Sequence, residues 1–243
     1  MISGFFKTAT TLMMLLLSAS FAIAAGPIKI GALFSVTGPP AFLGEPERNT
    51  AKMVVDNINK AGGIKGQKVE LVVYDTAGDA TKAVQMATKL IKDDKVVAII
   101  GPSTTGESMA VIPVAEKEKV PLISCAAGSK ITDPVKRYVF KTAQNDGLAV
   151  AKIYEYLQKH KQSRVALLTV SDGFGSSGRE QLKALAGKYG IQILVDDTYG
   201  PKDNDMTPQL TKIRGSQAQA LIVWGTNPRS EERRVGKEWR SRW

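Results

Sequence analysis

Residues 96–124 read VVAIIGPSTTGESMAVIPVAEKEKVPLIS. Val96 to Ile100 is an uninterrupted apolar run, the pattern of a strand covered on both faces in a parallel sheet. Gly101 to Thr104 break that run with glycine, proline and hydroxyls. The pattern predicts a helix from about Thr105 to Lys117, flawed locally by Pro113, and a short strand over Pro121 to Ser124. Strand, turn, helix, strand is one βαβ unit, whose crossover connection makes its two strands parallel.

The same alternation extends in both directions. Upstream, Ile28 to Phe34 is a β run. Ala51, Val54, Val55 and Ile58 follow with the i, i+3, i+4, i+7 spacing of an amphipathic helix, which Gly62-Gly63 ends. Val69 to Tyr74 is a strand, and Ala80, Ala83, Val84, Ala87, Leu90 and Ile91 form a second helical stripe. Downstream, helices are expected around Val150 to Leu157, Leu182 to Tyr189 and Met206 to Arg214. Strands are expected over Val165 to Val170, Ile191 to Val195 and Ala220 to Trp224. Tyr138 to Thr142 reads as a strand connecting the two sets. The expected fold is α/β with two lobes, residues 25–144 and 145–228, the chain crossing near Ala143 to Asp146.

Composition narrows the function classes. The chain has 243 residues, 43% hydrophobic and 23% charged, which excludes a wholly disordered, collagenous or disulfide-knotted protein. One cysteine and one histidine exclude an internal disulfide and any cluster of Cys or His metal ligands. The net charge of +10 invites a nucleic-acid reading. Part of it belongs to the ends. Residues 229–243, RSEERRVGKEWRSRW, carry 6 Lys/Arg against 3 Glu, and Lys7 adds one more charge. The lysines left in the middle lie on helix faces without interleaved aromatics, so no nucleic-acid partner is expected.

Residues 1–24 read as a secretory signal, with Lys7, an apolar run from Leu12 to Leu17 continuing through Phe21 and Ile23, and small residues Ala22 and Ala24 at the cleavage site. Cleavage is expected after Ala24, with Ala25 the alternative. Export points to the periplasm, and no cysteine stands there to take a lipid anchor. The tail from Arg229 resembles the translation of a sequencing-library adapter, departing only at Trp239. It is expected to be non-native, and the natural chain to be truncated near Pro228.

Three strand ends are candidate sites, because open α/β sheets bind ligands beyond the carboxyl ends of their strands. Gly101-Pro102-Ser103-Thr104-Thr105-Gly106 offers hydroxyls and free N–H groups at a helix start, which suits a carboxylate or serves as an ordinary N-cap. Ser124 to Ser129 is a run of small residues open to backbone approach. Cys125 within it is a nucleophile or, with no basic neighbour in sequence, a buried thiol. Gly173-Phe174-Gly175-Ser176-Ser177-Gly178 matches G-x-G-x-x-G, with Asp196 and Asp197 at the end of the next strand, as a dinucleotide site requires. Ser171-Asp172 stands between the strand and the first glycine, against that reading. His160 is expected at a helix end. No catalytic set accompanies these sites, so no enzyme, cofactor or metal is expected. An NAD-binding Rossmann-like oxidoreductase is the alternative.

The chain resembles the type I periplasmic solute-binding proteins of ABC importers, branched-chain amino-acid (Leu/Ile/Val) group, from about Ile28 to Pro228. The markers are Ile28 to Gly31, Thr37-Gly38-Pro39, Asn59-Lys60-Ala61-Gly62-Gly63-Ile64-Lys65-Gly66, Val72 to Thr76, Ala98 to Pro102 and Val120 to Ser124. The resemblance implies two lobes with parallel Rossmann-like sheets, closing on a small ligand and docking as a monomer on a membrane permease. It implies that Thr105 holds a ligand carboxylate, with backbone help near Ser103 and Thr104. Ala126, in the loop with Ala127, would take an ammonium on its carbonyl. Gly128 falls where amino-acid binders carry a hydroxyl, with Ser129 as a substitute. Phe174, Leu43 and Asn227 match pocket positions, Phe174 and Leu43 where a Tyr can stand. The implied ligand is a branched-chain amino acid or an aromatic or aliphatic acid. A ligand-sensing receptor domain shares this fold and is a further alternative.

Overall fold

The computed structural model describes residues 26–226. The signal-type segment, the tail from Arg229 and Asn227 lie outside the described residues. Eight strands and six α-helices alternate: β1 (Ile28–Phe34), α1 (Ala41–Lys60), β2 (Val69–Asp75), α2 (Ala80–Lys92), β3 (Ala98–Ile100), α3 (Thr105–Glu118), β4 (Leu122–Ser124), β5 (Val139–Lys141), α4 (Asp146–Lys159), β6 (Arg164–Val170), α5 (Gly173–Ala186), β7 (Gln192–Tyr199), α6 (Thr207–Arg214) and β8 (Ala220–Trp224).

The strands form two sheets. The first is ordered β2-β1-β3-β4-β5 and the second β7-β6-β8, all neighbours parallel. In each sheet the earliest strand is flanked by the two that follow it. The connections therefore leave in opposite directions, which creates a switch point beyond the carboxyl end of β1 and of β6. Helices cover the sheets with apolar faces. Ala83, Ala87 and Leu90 of α2 pack with Val111 and Ala115 of α3 on Leu33, Ile99 and Leu122. Val150, Tyr154 and Leu157 of α4 pack with Leu182 and Ala186 of α5 on Val165, Leu167 and Ile222.

Several expectations need correction. The Val96 to Ile100 strand contracts to three residues, because Val97 is 57% exposed and only the part beside β1 and β4 is paired. Tyr138 to Thr142 is no connector between sets, since β5 pairs with β4 and forms the edge of the first sheet. α1 starts ten residues before its apolar stripe. Gly44 gives it a close approach to the Ser35 backbone, which any side chain would block. β7 runs to Tyr199, so Asp196 and Asp197 lie inside the strand. The glycine motif is not a loop, for all three of its glycines are turns of α5.

Candidate functional site

The carboxyl ends of both sheets open on one cavity of about 620 Å³. From the first sheet, the turn after β3 enters α3 through a capping box. Thr104 Oγ1 receives the Glu107 N–H, and the Glu107 carboxylate receives Thr104 N–H at 3.1 Å. That box serves two of the four unpaired N–H groups of a helix start and leaves those of Thr105 and Gly106 at its first turn. The Thr105 side chain is 4% exposed, and its Oγ1 has no hydrogen-bond partner among the described residues. A buried hydroxyl without a partner costs about 1–3 kcal/mol, and Thr105 lines the cavity.

Ser103, also buried, uses its hydroxyl differently. Its Oγ receives the Ser35 N–H at 3.0 Å and donates to Glu47 Oε2. Ser35 Oγ in turn donates to Glu107 at 2.9 Å. The chain end of β1, the turn after β3 and α1 are thus tied by one polar network. Glu47 lines the cavity one helical turn after Leu43. Burial raises its carboxyl pKa above the usual value, and the nearby Glu107 charge pushes the same way, while the Ser103 hydroxyl opposes them.

The loop after β4 is held from beneath. Ser124 Oγ pairs with Ser108 Oγ at 2.7 Å and receives the Ala126 N–H at 3.1 Å. Lys141 Nζ donates to the Ala127 and Gly128 carbonyls at 2.8 and 3.3 Å. Burial lowers the Lys141 pKa, opposed by the Asp146 charge. Cys125 borders the cavity, and burial together with the Glu47 charge pushes its thiol up to about 12. The thiol stays protonated, which removes the nucleophile reading.

From the second sheet come Gly173 and Phe174 after β6, and Thr226 after β8. Phe174 stacks on Trp224 with centroids 5.4 Å apart. Gly173 lies so close to the Gly106 backbone that an added Cβ would stand 2.7 Å from its Cα. The starts of α3 and α5 therefore touch across the cavity rim.

Leu43, Ser103, Thr104, Thr105, Ala126, Ala127 and Phe174 line this one cavity. Gly128 and Ser129 are not among the lining residues. The Thr105 methyl fills the space that a side chain at Gly128 would need. The Ser129 hydroxyl donates to Asn145 Oδ1 at 2.6 Å, so it is no substitute for the missing one. Glu47 is hidden in the sequence because α1 begins ten residues before its apolar stripe. A helix starting at Ala41 puts it at i+4 from Leu43, on the same face.

The dinucleotide alternative fails on geometry. Asp172 caps α5 by accepting the Gly175 N–H at 2.8 Å, so a carboxylate stands where a pyrophosphate would bind. Asp196 is held by Arg179 at 2.5 Å and Lys183 at 2.9 Å. The motif's glycines serve packing: a side chain at Gly175 would strike the Val170 carbonyl, and one at Gly178 the Trp224 indole.

Residues 27–230 match the family described as periplasmic binding protein. The chain belongs to that family. Among periplasmic binding proteins it is 31% identical to Leu/Ile/Val-binding protein homolog 3 of Brucella melitensis, over 82% of this chain and 54% of the relative. Its fold matches the branched-chain amino acid transporter substrate binding protein LivJ of Streptococcus pneumoniae, solved with isoleucine, at 32% identity and a TM-score of 0.73. That match covers 81% of this chain and 56% of the other. It also matches a periplasmic binding protein type 1 from Bordetella pertussis, with 28% identity, a TM-score of 0.75, and coverage of 81% and 55%. The chain spans about half the length of the curated relatives it matches. The expected type I fold with parallel sheets is thereby borne out.

Proposed function

We propose that this chain is the ligand-capturing part of an extracytoplasmic solute-binding protein of an ABC importer. It takes a small carboxylic acid between two lobes in the periplasm and passes it to a membrane permease, with no chemical step. The lobes correspond to residues 25–144 and 145–228. The observation that carries the reading is the start of α3 on the cavity wall, where the capping box leaves the Thr105 and Gly106 N–H groups unused and the Thr105 hydroxyl has no partner among the described residues. Together they suit a carboxylate, by hydrogen bonds and by the helix dipole. The names of the relatives support the binding role. Ala126 and Ala127 supply backbone on the facing side, and Leu43 and Phe174 supply apolar walls.

The side-chain hydroxyl that would serve an α-ammonium is missing at Gly128, and Ser129 is engaged elsewhere. An aromatic or aliphatic acid therefore fits the site better than a branched-chain amino acid. Calorimetric titration of the full-length protein with benzoate and isoleucine tests this, alongside Thr105→Ala. The substitution should weaken acid binding by about 1.5–3 kcal/mol, the range for hydrogen bonds to charged groups. Unchanged affinity in Thr105→Ala would remove Thr105 from the site.

A further inference from the structure

Four carboxylates, Glu47, Asp79, Glu107 and Asp172, and one ammonium, Lys202, line this cavity. Asp79, Glu107 and Asp172 each serve the start of a helix, whereas Glu47 caps nothing and makes no ion pair with Lys or Arg among the described residues. Its nearest polar neighbours are the Ser103 hydroxyl, the Glu107 carboxylate and the Cys125 thiol. Two like charges close together disfavour each other unless a donor stands between them. Ser103 supplies one donor, and only to Oε2. Ser103 is itself oriented by the Ser35 N–H, so its hydroxyl hydrogen is committed to Glu47 rather than free for a ligand. The pair is a built acceptor: a fixed carboxyl with one oxygen satisfied and one left over.

We propose that Glu47, oriented by Ser103, sets the specificity of this cavity by accepting a hydrogen bond from a hydroxyl or amine that the ligand carries away from its carboxylate. This rests on the acid-binding reading above and narrows it to acids with a second, donor-bearing end. Glu47 and Thr105 line the same cavity, and Ser103, which holds Glu47, stands two residues before Thr105. Leu43, on the same face of α1, and Phe174 give the body of such an acid apolar cover. An ionised Glu47 is the better acceptor, so the preference should be strongest at neutral pH. It should shrink as pH falls through the raised pKa, where Glu47 takes its own proton.

The test measures matched pairs on the full-length protein by calorimetry: 4-hydroxybenzoate against benzoate, and threonine against its near-isostere valine. In each pair that binds, the hydroxylated acid should bind about tenfold tighter. Glu47→Leu should abolish or reverse that ratio, while Glu47→Gln, which keeps an acceptor oxygen, should retain part of it. A merely structural Glu47 would change melting temperature and leave the ratio alone. Acids that bind without any preference for the hydroxyl in the wild type overturn the Glu47 subsite and leave the acid-binding reading standing. This outcome needs no variant to fold. Absence of binding by all four probes overturns both.

Discussion

Thr105 and Gly128 show how two residues on different elements fix one site between them. Thr105 Cγ2 occupies the space that a Cβ at position 128 would need. A threonine at 105 therefore requires a glycine at 128. The chain has in effect moved its side-chain bulk from the loop after β4 to the start of α3. Gly128→Ser, which would restore the hydroxyl expected of amino-acid binders, should destabilise the fold by about 1–3 kcal/mol, the usual cost of overpacking. Thr105→Ser removes the offending methyl and keeps the hydroxyl. The double substitution should then recover most of the lost stability, a non-additivity expected of touching residues. Urea unfolding of the two single variants and the double closes that cycle; strictly additive losses would mean the two side chains do not compete for space. The hydroxyls of this site were legible in sequence because they follow strands directly. Glu47 was not, since a charged residue on an unrecognised helix looks like solvated surface.

At the scale of elements, α5 shows why a motif needs its setting. Gly175 and Gly178 let the helix lie against the β6 end and Trp224. Alanine at an interior helix position is worth about 1 kcal/mol over glycine, and overpacking costs about 1–3 kcal/mol. The neighbours decide which effect wins. At Gly178 the obstacle is an indole ring that is stacked on Phe174 and so cannot swing freely. At Gly175 it is the backbone carbonyl of Val170 within a central strand, which can yield less. Both alanine variants should melt lower than the parent, Gly175→Ala the lower of the two. Calorimetric melting of each variant checks this, and a gain in stability at Gly175 would contradict the close contact. The alternation of strands and helices was plain from apolar periodicity, which suffices for parallel sheets. The start of α1 was hidden because Gly44 and Pro46 interrupt its stripe. β5 carries little signal in the sequence because it is only three residues long and leaves Phe140 half exposed at a sheet edge.

Across the whole molecule, two aspartates carry opposite dependences on pH. Asp196 lies within β7. Burial raises its carboxyl, but hydrogen bonds and charge from Arg179 and Lys183 outweigh this and hold it below the usual range. A depressed folded-state pKa gives stability that is present above the unfolded value and lost as pH falls toward the folded one. Asp146 lies where the chain passes from the first sheet to the second, at the start of α4, and is 2% exposed. Its pKa is raised, chiefly by burial, against the Ser177 hydrogen bond at 2.5 Å and the Lys141 charge. Here the sign reverses: the folded state holds the proton more tightly, so stability is greatest at low pH and declines as pH rises through the folded value. Asp146 is also joined to the seam between the sheets. Ser177 Oγ, its partner, receives the Ser129 N–H at 3.1 Å, and Lys130 pairs with Glu180 at 2.7 Å nearby. Asparagine at either position keeps an acceptor oxygen and removes the titration. Asp196→Asn should therefore be costly at pH 7 and clearly less costly at about pH 3, where the unfolded carboxyl is already largely protonated. Asp146→Asn should be costlier at acid pH and become neutral or stabilising at pH 7. Urea midpoints at both pH values give the two differences. Slopes of the same sign would mean that burial does not raise the Asp146 carboxyl in the folded protein.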